Sequence, residues 1–153
     1  MGAQIEQRLA ELGIELPEPW PAFGTFVSAV RTGDLVFTSG HVPHHSAGLV
    51  TGKLGGDLTV TDGVRAAEFA AYSLLATLRS ELGDLDRVVR IVSLLGTVNA
   101  VPTFTDHTAV IDGASNVLVA VFGERGQHAR LAVGVSSLPA DLALEVQAVV
   151  EVA

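Results

Sequence analysis

The chain has no cysteine in 153 residues. That excludes disulfides, thiolate chemistry and any cysteine-ligated metal. Lysine is nearly as scarce: Lys53 stands alone, and the formal net charge is −8. Such a chain is a poor electrostatic match for a polyanion. No basic stripe runs along it, so nucleic acid is not an expected partner. Long apolar runs are missing too. None reaches the ~18 residues of a membrane span, and the N-terminus lacks the basic-then-apolar pattern of a signal peptide. Neither membrane insertion nor secretion is expected, and the default location is cytoplasmic. Aromatic residues make up only 5% of the chain against 48% hydrophobic residues overall, so Ala, Val and Leu must do most of the packing. The length suits one domain with a sizeable core, here residues 1–153.

Residues 2–12 fit a short amphipathic helix, with Ile5, Leu9 and Leu12 on one side and Gly13 as its C-terminal cap. Pro17, Pro19 and Pro21 then force an extended connection around Trp20, so 1–22 reads as a helix plus a Pro-rich lead into the main fold. Phe26–Val42 has the pattern of a hairpin, Phe26–Arg31 and Leu35–Val42 being joined by Thr32-Gly33-Asp34. Ser46–Gly52 reads as a glycine-punctuated loop with room for a short edge strand. The spacing of Val64, Ala67, Ala71, Leu74, Leu75, Leu78 and Leu82 predicts a helix over 61–82, capped by Thr61 or Asp62 and ended by Gly83. Val88–Val98 is a nearly continuous apolar run, the mark of a strand covered on both faces. A second helix over about 105–122 carries Val110, Ala114, Val117, Leu118 and Val121, with Thr105 as its cap and Gly113 as a weak point that could split it. Arg130–Val135 and Ala143–Val152 are the last strands. The order β-β-(β)-α-β-α-β-β predicts an α+β fold: one mixed sheet with two main helices on one face. The other sheet face then needs covering, which implies a homo-oligomer.

The two C-terminal strands hold the most suggestive chemistry. Leu131, Val133 and Val135 share one face of the first, and Leu144, Val146, Ala148, Val150 and Val152 share one face of the second. Arg130 and Glu145 fall on the opposite faces of those runs. If the runs pair as a hairpin, a guanidinium and a carboxylate project from the same side of one sheet, over the small residues Ala132 and Gly134. A fixed cation and a carboxylate above such a floor suit a small anionic substrate; a solvated surface ion pair is the plainer alternative.

Phe26-Val27, the run Phe37-Thr38-Ser39-Gly40-His41-Val42-Pro43, the helix at 61–82, the strand at 88–98, Ala129-Arg130, Leu138-Pro139 and Glu145 together resemble the RidA/YjgF family, which shares a fold with one type of chorismate mutase. The likeness spans Phe26 to Val152, and the additional N-terminal segment looks like a longer branch of that family. The resemblance implies a homotrimer with clefts between subunits. It implies hydrolysis of reactive enamines and imines to 2-keto acids and ammonia, without metal or organic cofactor. By the same likeness Arg130 would hold the substrate carboxylate and Glu145 would orient water, with Ser39 and Gly40 bordering the pocket. Phe26 would wall it where archetypal deaminases often carry tyrosine, so that hydroxyl is absent. Ser115 falls near a helix position where the archetype has asparagine, and His128 could serve the cleft entrance as a proton carrier. A non-catalytic module that binds a carboxylate metabolite on the same trimer is the alternative.

Two other patterns carry less. His41, His44 and His45 could hold a metal only if strand ends brought them together, and no carboxylate sits at helpful spacing; solvated loop histidines are the simpler account, and no metal is expected. Gly123-Glu124-Arg125-Gly126 lacks the lysine and the strand-loop-helix order of a phosphate loop.

Overall fold

The structure, a computed structural model, describes residues 2–153. Helix α1 (Gln4–Glu11) precedes strands β1 (Ala29–Thr32) and β2 (Leu35–Thr38), then the two-residue strands β3 (His44–His45) and β4 (Gly48–Leu49). Helix α2 (Val60–Leu82), strand β5 (Val88–Asn99), helix α3 (His107–Phe122) and strands β6 (Ala129–Val135) and β7 (Leu144–Val152) complete it. The class is α+β, as the pattern predicts.

Helix α2 starts one residue earlier than its apolar spacing suggests because Thr59 caps it. The Thr59 hydroxyl accepts from the Asp62 amide and the Asp62 carboxylate accepts from the Thr59 amide, a reciprocal capping box. Gly83 ends it in a left-handed conformation, φ 77°. Helix α3 starts at His107, without Thr105 as a cap and without a side-chain cap from Asp106. Gly113 does not split it. A Cβ there would collide with the backbone carbonyl of Val64, so the missing side chain is what lets α3 lie directly on α2. Gly113→Ala is therefore expected to destabilise the protein by about 1–3 kcal/mol through overpacking, although in an isolated helix the same change would gain about 1 kcal/mol. The denaturant midpoint checks this; an unchanged or higher midpoint would mean the two helices are free to separate here.

The main sheet runs β1-β2-β7-β5-β6, with β5 and β6 parallel and every other pair antiparallel. The C-terminal hairpin expected from sequence is not formed. Strands β6 and β7 lie on either side of β5, because β5-α3-β6 is a parallel crossover and the chain from Val135 to Leu144 passes across β5 instead of turning back on β6. β1 begins at Ala29, so Phe26 lies in the bend before it.

The helices cover one face. Leu144, Val146, Ala148, Val150 and Val152 of β7 point into it, as expected, beside Ile91, Leu94 and Val98 of β5. On β6 the phase is the reverse of the predicted one. Ala132 packs against the core and Gly134 sits under the His107 ring, while Leu131 and Val133 are 59% and 36% exposed on the other face. Helix α3 passes so close to β6 that only small residues fit beneath it. β5 is likewise covered on one face only within the chain. The open face carries Val30, Phe37, Leu131 and Val133, a broad exposed apolar surface.

The N-terminal segment is tied to the rest of the fold at two places. The backbone amides of Gln4 and Ile5 donate to Asp86, anchoring α1, with Ile5 and Leu9 buried. The Pro-rich stretch then crosses to the far end of α2, where the Trp20 ring lies 4.5 Å from that of His44 and 5.7 Å from that of Phe23.

Candidate functional site

Seven residues were singled out by sequence, and the fold sorts them into two groups. Phe26, Ser39, Gly40 and Glu145 line one cavity of about 350 Å³. It opens between the Pro-rich segment, the chain after β2, the turn at Pro139–Leu142 and the start of β7. Glu145 is on the open face of the sheet, half-buried at the cavity wall. Its Oε2 lies 3.1 Å from where a Gly40 Cβ would be, so glycine is what lets the backbone come this close to the carboxylate. No cation pairs with Glu145 among the described residues, and burial pushes its carboxyl pKa above the ordinary value.

Hydrogen bonds tie down the floor of this cavity. Ser39 donates its hydroxyl to the Val27 carbonyl at 2.6 Å, so that oxygen is held by the backbone. The Ser39 carbonyl accepts from the Thr38 hydroxyl at 3.0 Å and from His41 Nδ1 at 2.8 Å. Since a carbonyl only accepts, Nδ1 carries the His41 proton, leaving Nε2 to accept the Thr77 hydroxyl at 2.8 Å. Burial lowers the His41 pKa, which favours the neutral ring. His41 thus ties the Ser39-Gly40 bend to helix α2. The sequence reading missed this role by treating the three histidines as solvated. His44 is buried against Trp20, His45 stacks on Phe69 at 4.5 Å, and among the described residues no three potential ligands converge on a metal site.

Arg130, Ser115 and His128 form the second group, at the edge strand β6 and the facing side of α3. Arg130 Nη1 donates to Asp112 Oδ1 at 2.7 Å and to Ser115 Oγ at 3.0 Å, and Nη2 donates to the Thr108 carbonyl at 3.3 Å. Ser115 Oγ lies 2.9 Å from His128 Nε2, and His128 Nδ1 lies 2.6 Å from the Gly126 carbonyl. The Gly126 carbonyl accepts from His128 Nδ1–H, and Ser115 Oγ, which accepts from Arg130, shares a second hydrogen bond with His128 Nε2. Three of the five guanidinium N–H groups are used here. One on Nε and one on Nη2 remain, two donors on adjacent nitrogens that can grip a carboxylate in two bonds.

Arg130 and Glu145 therefore do not face one another. Arg130 is on the helix face of the sheet and Glu145 on the open face, and Arg130 does not line Glu145's cavity. The expected Arg130–Glu145 pair is replaced by Arg130–Asp112, with the arginine side chain 17% and the aspartate 51% exposed. Asp112 is the functional candidate that sequence reasoning missed. The available signal was its spacing of three from Ser115, which puts both on one side of a helix. Lys53, the lone lysine, is also engaged: its ammonium donates to Asn99 Oδ1 at 2.7 Å and to the Ser136 carbonyl.

Residues 6–151 match the model of the family described as "YjgF/chorismate mutase-like, putative endoribonuclease". The protein TCP17 of Trypanosoma cruzi is 43% identical over 150 residues, covering 97% of this chain and 94% of that one. The crystal structure of a protein of unknown function from Agrobacterium tumefaciens superposes with a TM-score of 0.89 at 42% identity, covering 97% of this chain and 94% of that one. A Shewanella oneidensis structure carrying the same endoribonuclease description superposes with a TM-score of 0.94 at 33% identity, covering 97% and 99% of the two chains.

Proposed function

This chain belongs to the RidA/YjgF family, and from that premise we propose that it hydrolyses reactive enamines and imines to 2-keto acids and ammonia. The observation that carries this is Glu145: an unpaired, half-buried carboxylate with a raised pKa, in a cavity walled mainly by apolar side chains. In its ionised form such a group is a stronger base toward water than an ordinary carboxylate. The enamine first tautomerises to the imine by proton transfer. Water then adds to the C=N carbon as Glu145 takes one of its protons and passes it to the nitrogen, giving the carbinolamine. Transfer of the hydroxyl proton to that nitrogen then breaks the C–N bond, releasing ammonia and the 2-keto acid. No strong nucleophile is required, which fits a chain without cysteine. The Gly40 amide, with no hydrogen-bond partner among the described residues, is free to meet a polar atom of the substrate.

The reading puts the cleft between subunits of a homotrimer. Two observations support it: each group of site residues lacks what the other has, and the open sheet face is apolar. In the assembled cleft, Arg130 of a neighbouring copy would hold the substrate carboxylate beside this chain's Glu145, with His128 close enough to relay protons. Ammonia release from freshly generated 2-iminopropionate and bulkier imino acids tests the proposal; no acceleration over buffer defeats it. Carboxylate binding without turnover would select the second reading, a metabolite-binding module, which the partial engagement of Arg130 by Asp112 favours.

The endoribonuclease wording attached to the family has weaker support here. The net charge is −8 and the only lysine is spent inside the fold, so few cations remain to displace counterions from phosphates. Binding of single-stranded RNA at physiological salt is expected to be weaker than micromolar. A submicromolar, salt-sensitive affinity in a filter or anisotropy assay would reverse this.

A further inference from the structure

Resting on the deaminase reading, we propose that the substrates are 2-imino acids with bulky hydrocarbon side chains, branched aliphatic or aromatic, and that the Pro-rich segment sets this preference. The cavity beside Glu145 is larger and more apolar than a small imino acid needs. At about 350 Å³ it has room for about a dozen waters at ~30 Å³ each. Its wall is Trp20, Phe23, Phe26, Val42, Leu49 and Leu142. Against these stand the Glu145 carboxylate, Ser28, the His41 ring, whose nitrogens are bonded to the Ser39 carbonyl and Thr77, and Ser39, whose hydroxyl is bonded to the Val27 carbonyl.

Trp20 and Phe23 come from the extended stretch that Pro17, Pro19 and Pro21 stiffen. Contact between the Trp20 and His44 rings holds that stretch against the fold. Phe23 and Phe26 line the cavity and are 72% and 52% exposed in the single chain, so a hydrophobic occupant can cover ring surface there. A three-carbon imine would leave the aromatic wall wet. A branched or aryl side chain would displace that water, and each buried methylene contributes about a fourfold gain in kcat/KM. Phe26 acts in the same direction, since its ring brings no hydroxyl to the wall.

The experiment uses the intact protein and two readouts. Imines generated in place by oxidation of alanine, leucine and phenylalanine report turnover as ammonia release. The stable 2-oxo acids with the same side chains report binding through Trp20, the only tryptophan in the chain, whose fluorescence responds to occupancy of its own cavity. The expected result is kcat/KM higher by about 50-fold for the leucine and phenylalanine imines than for the alanine imine. The bulky oxo acids should alter Trp20 fluorescence at concentrations at least ~10-fold below that of pyruvate, and Phe23→Ala should lower both ratios. Equal or reversed rankings would overturn the proposal. If no imine is consumed while bulky oxo acids still bind preferentially, deamination falls and the hydrocarbon preference stands; if all imines are consumed alike, the preference falls and deamination stands.

Discussion

Glu145→Gln is expected to lower imine hydrolysis by about 10²–10⁴-fold, the usual contribution of a positioned general base, while leaving the protein at least as stable. The two effects have one cause. Burial raises the Glu145 pKa above its ordinary 4.5, so the folded chain holds this proton more tightly than the unfolded chain does. The stability associated with the protonated group is fully present below pH 4.5 and is lost as pH rises through the raised value. At pH 7 the ionised carboxylate therefore works against folding, and the neutral amide relieves it. The proposed hydrolysis needs that same ionised form. The acid limb of the wild-type pH profile should lie above the range of an ordinary carboxylate and vanish in the variant. Calorimetry at pH 5 and pH 8 should show the variant gaining on wild type as pH rises. A variant that keeps its turnover removes Glu145 from the mechanism. A lower melting temperature at pH 8 would show that the carboxylate has a stabilising partner.

The second large effect is at Arg130. Arg130→Ala should reduce activity on imino acids by ~10² or more. Two charge-assisted hydrogen bonds to the substrate carboxylate, each on the order of 1.5–3 kcal/mol, would be lost. Arg130→Lys should recover little, because an ammonium lacks the two adjacent donors that remain free on the guanidinium. The link to α3 adds a test of its own. Asp112 and Ser115 occupy the inner donors and so aim the outer ones. Asp112→Asn should raise KM for imino acids more than it lowers kcat, since it loosens the anchor without touching the water-activating group. The fold should tolerate both changes, because Asp112 is half-exposed and neither side chain belongs to the apolar core. Full activity in folded Arg130→Ala would reduce the arginine to a structural tie between β6 and α3.

The helices and the long strands were legible because their signals are local. The 3.6-residue spacing in 61–82 and the alternation in 144–152 each arise within one element, and so does a glycine stop such as Gly83. The shifts at helix starts have the same origin: Thr59 wins the cap of α2 because Asp62 can answer it. Gly113 shows where local reasoning fails. Propensity treats it as a defect, and contact with Val64 makes it a requirement. The histidines fail in the same way, since nothing near His41 in sequence announces Thr77, its partner across 36 positions.

From the sequence alone came the α+β class, the two covering helices, the likeness to the family, and the seven residues worth examining. Tertiary structure decided which of them meet. Alternation along β6 and β7 tells which residues share a face of each strand, but not which of the two faces meets the helices, nor what lies between the strands. Inserting β5 between them and laying α3 close over β6 put Arg130 on the covered side with Asp112, Ser115 and His128, and left Glu145 on the open side with Gly40 and Phe26. Alternation is a property of one strand, whereas pairing order and the covered face depend on segments far away in the chain. That is why the residues could be named from sequence and their division into two groups could not.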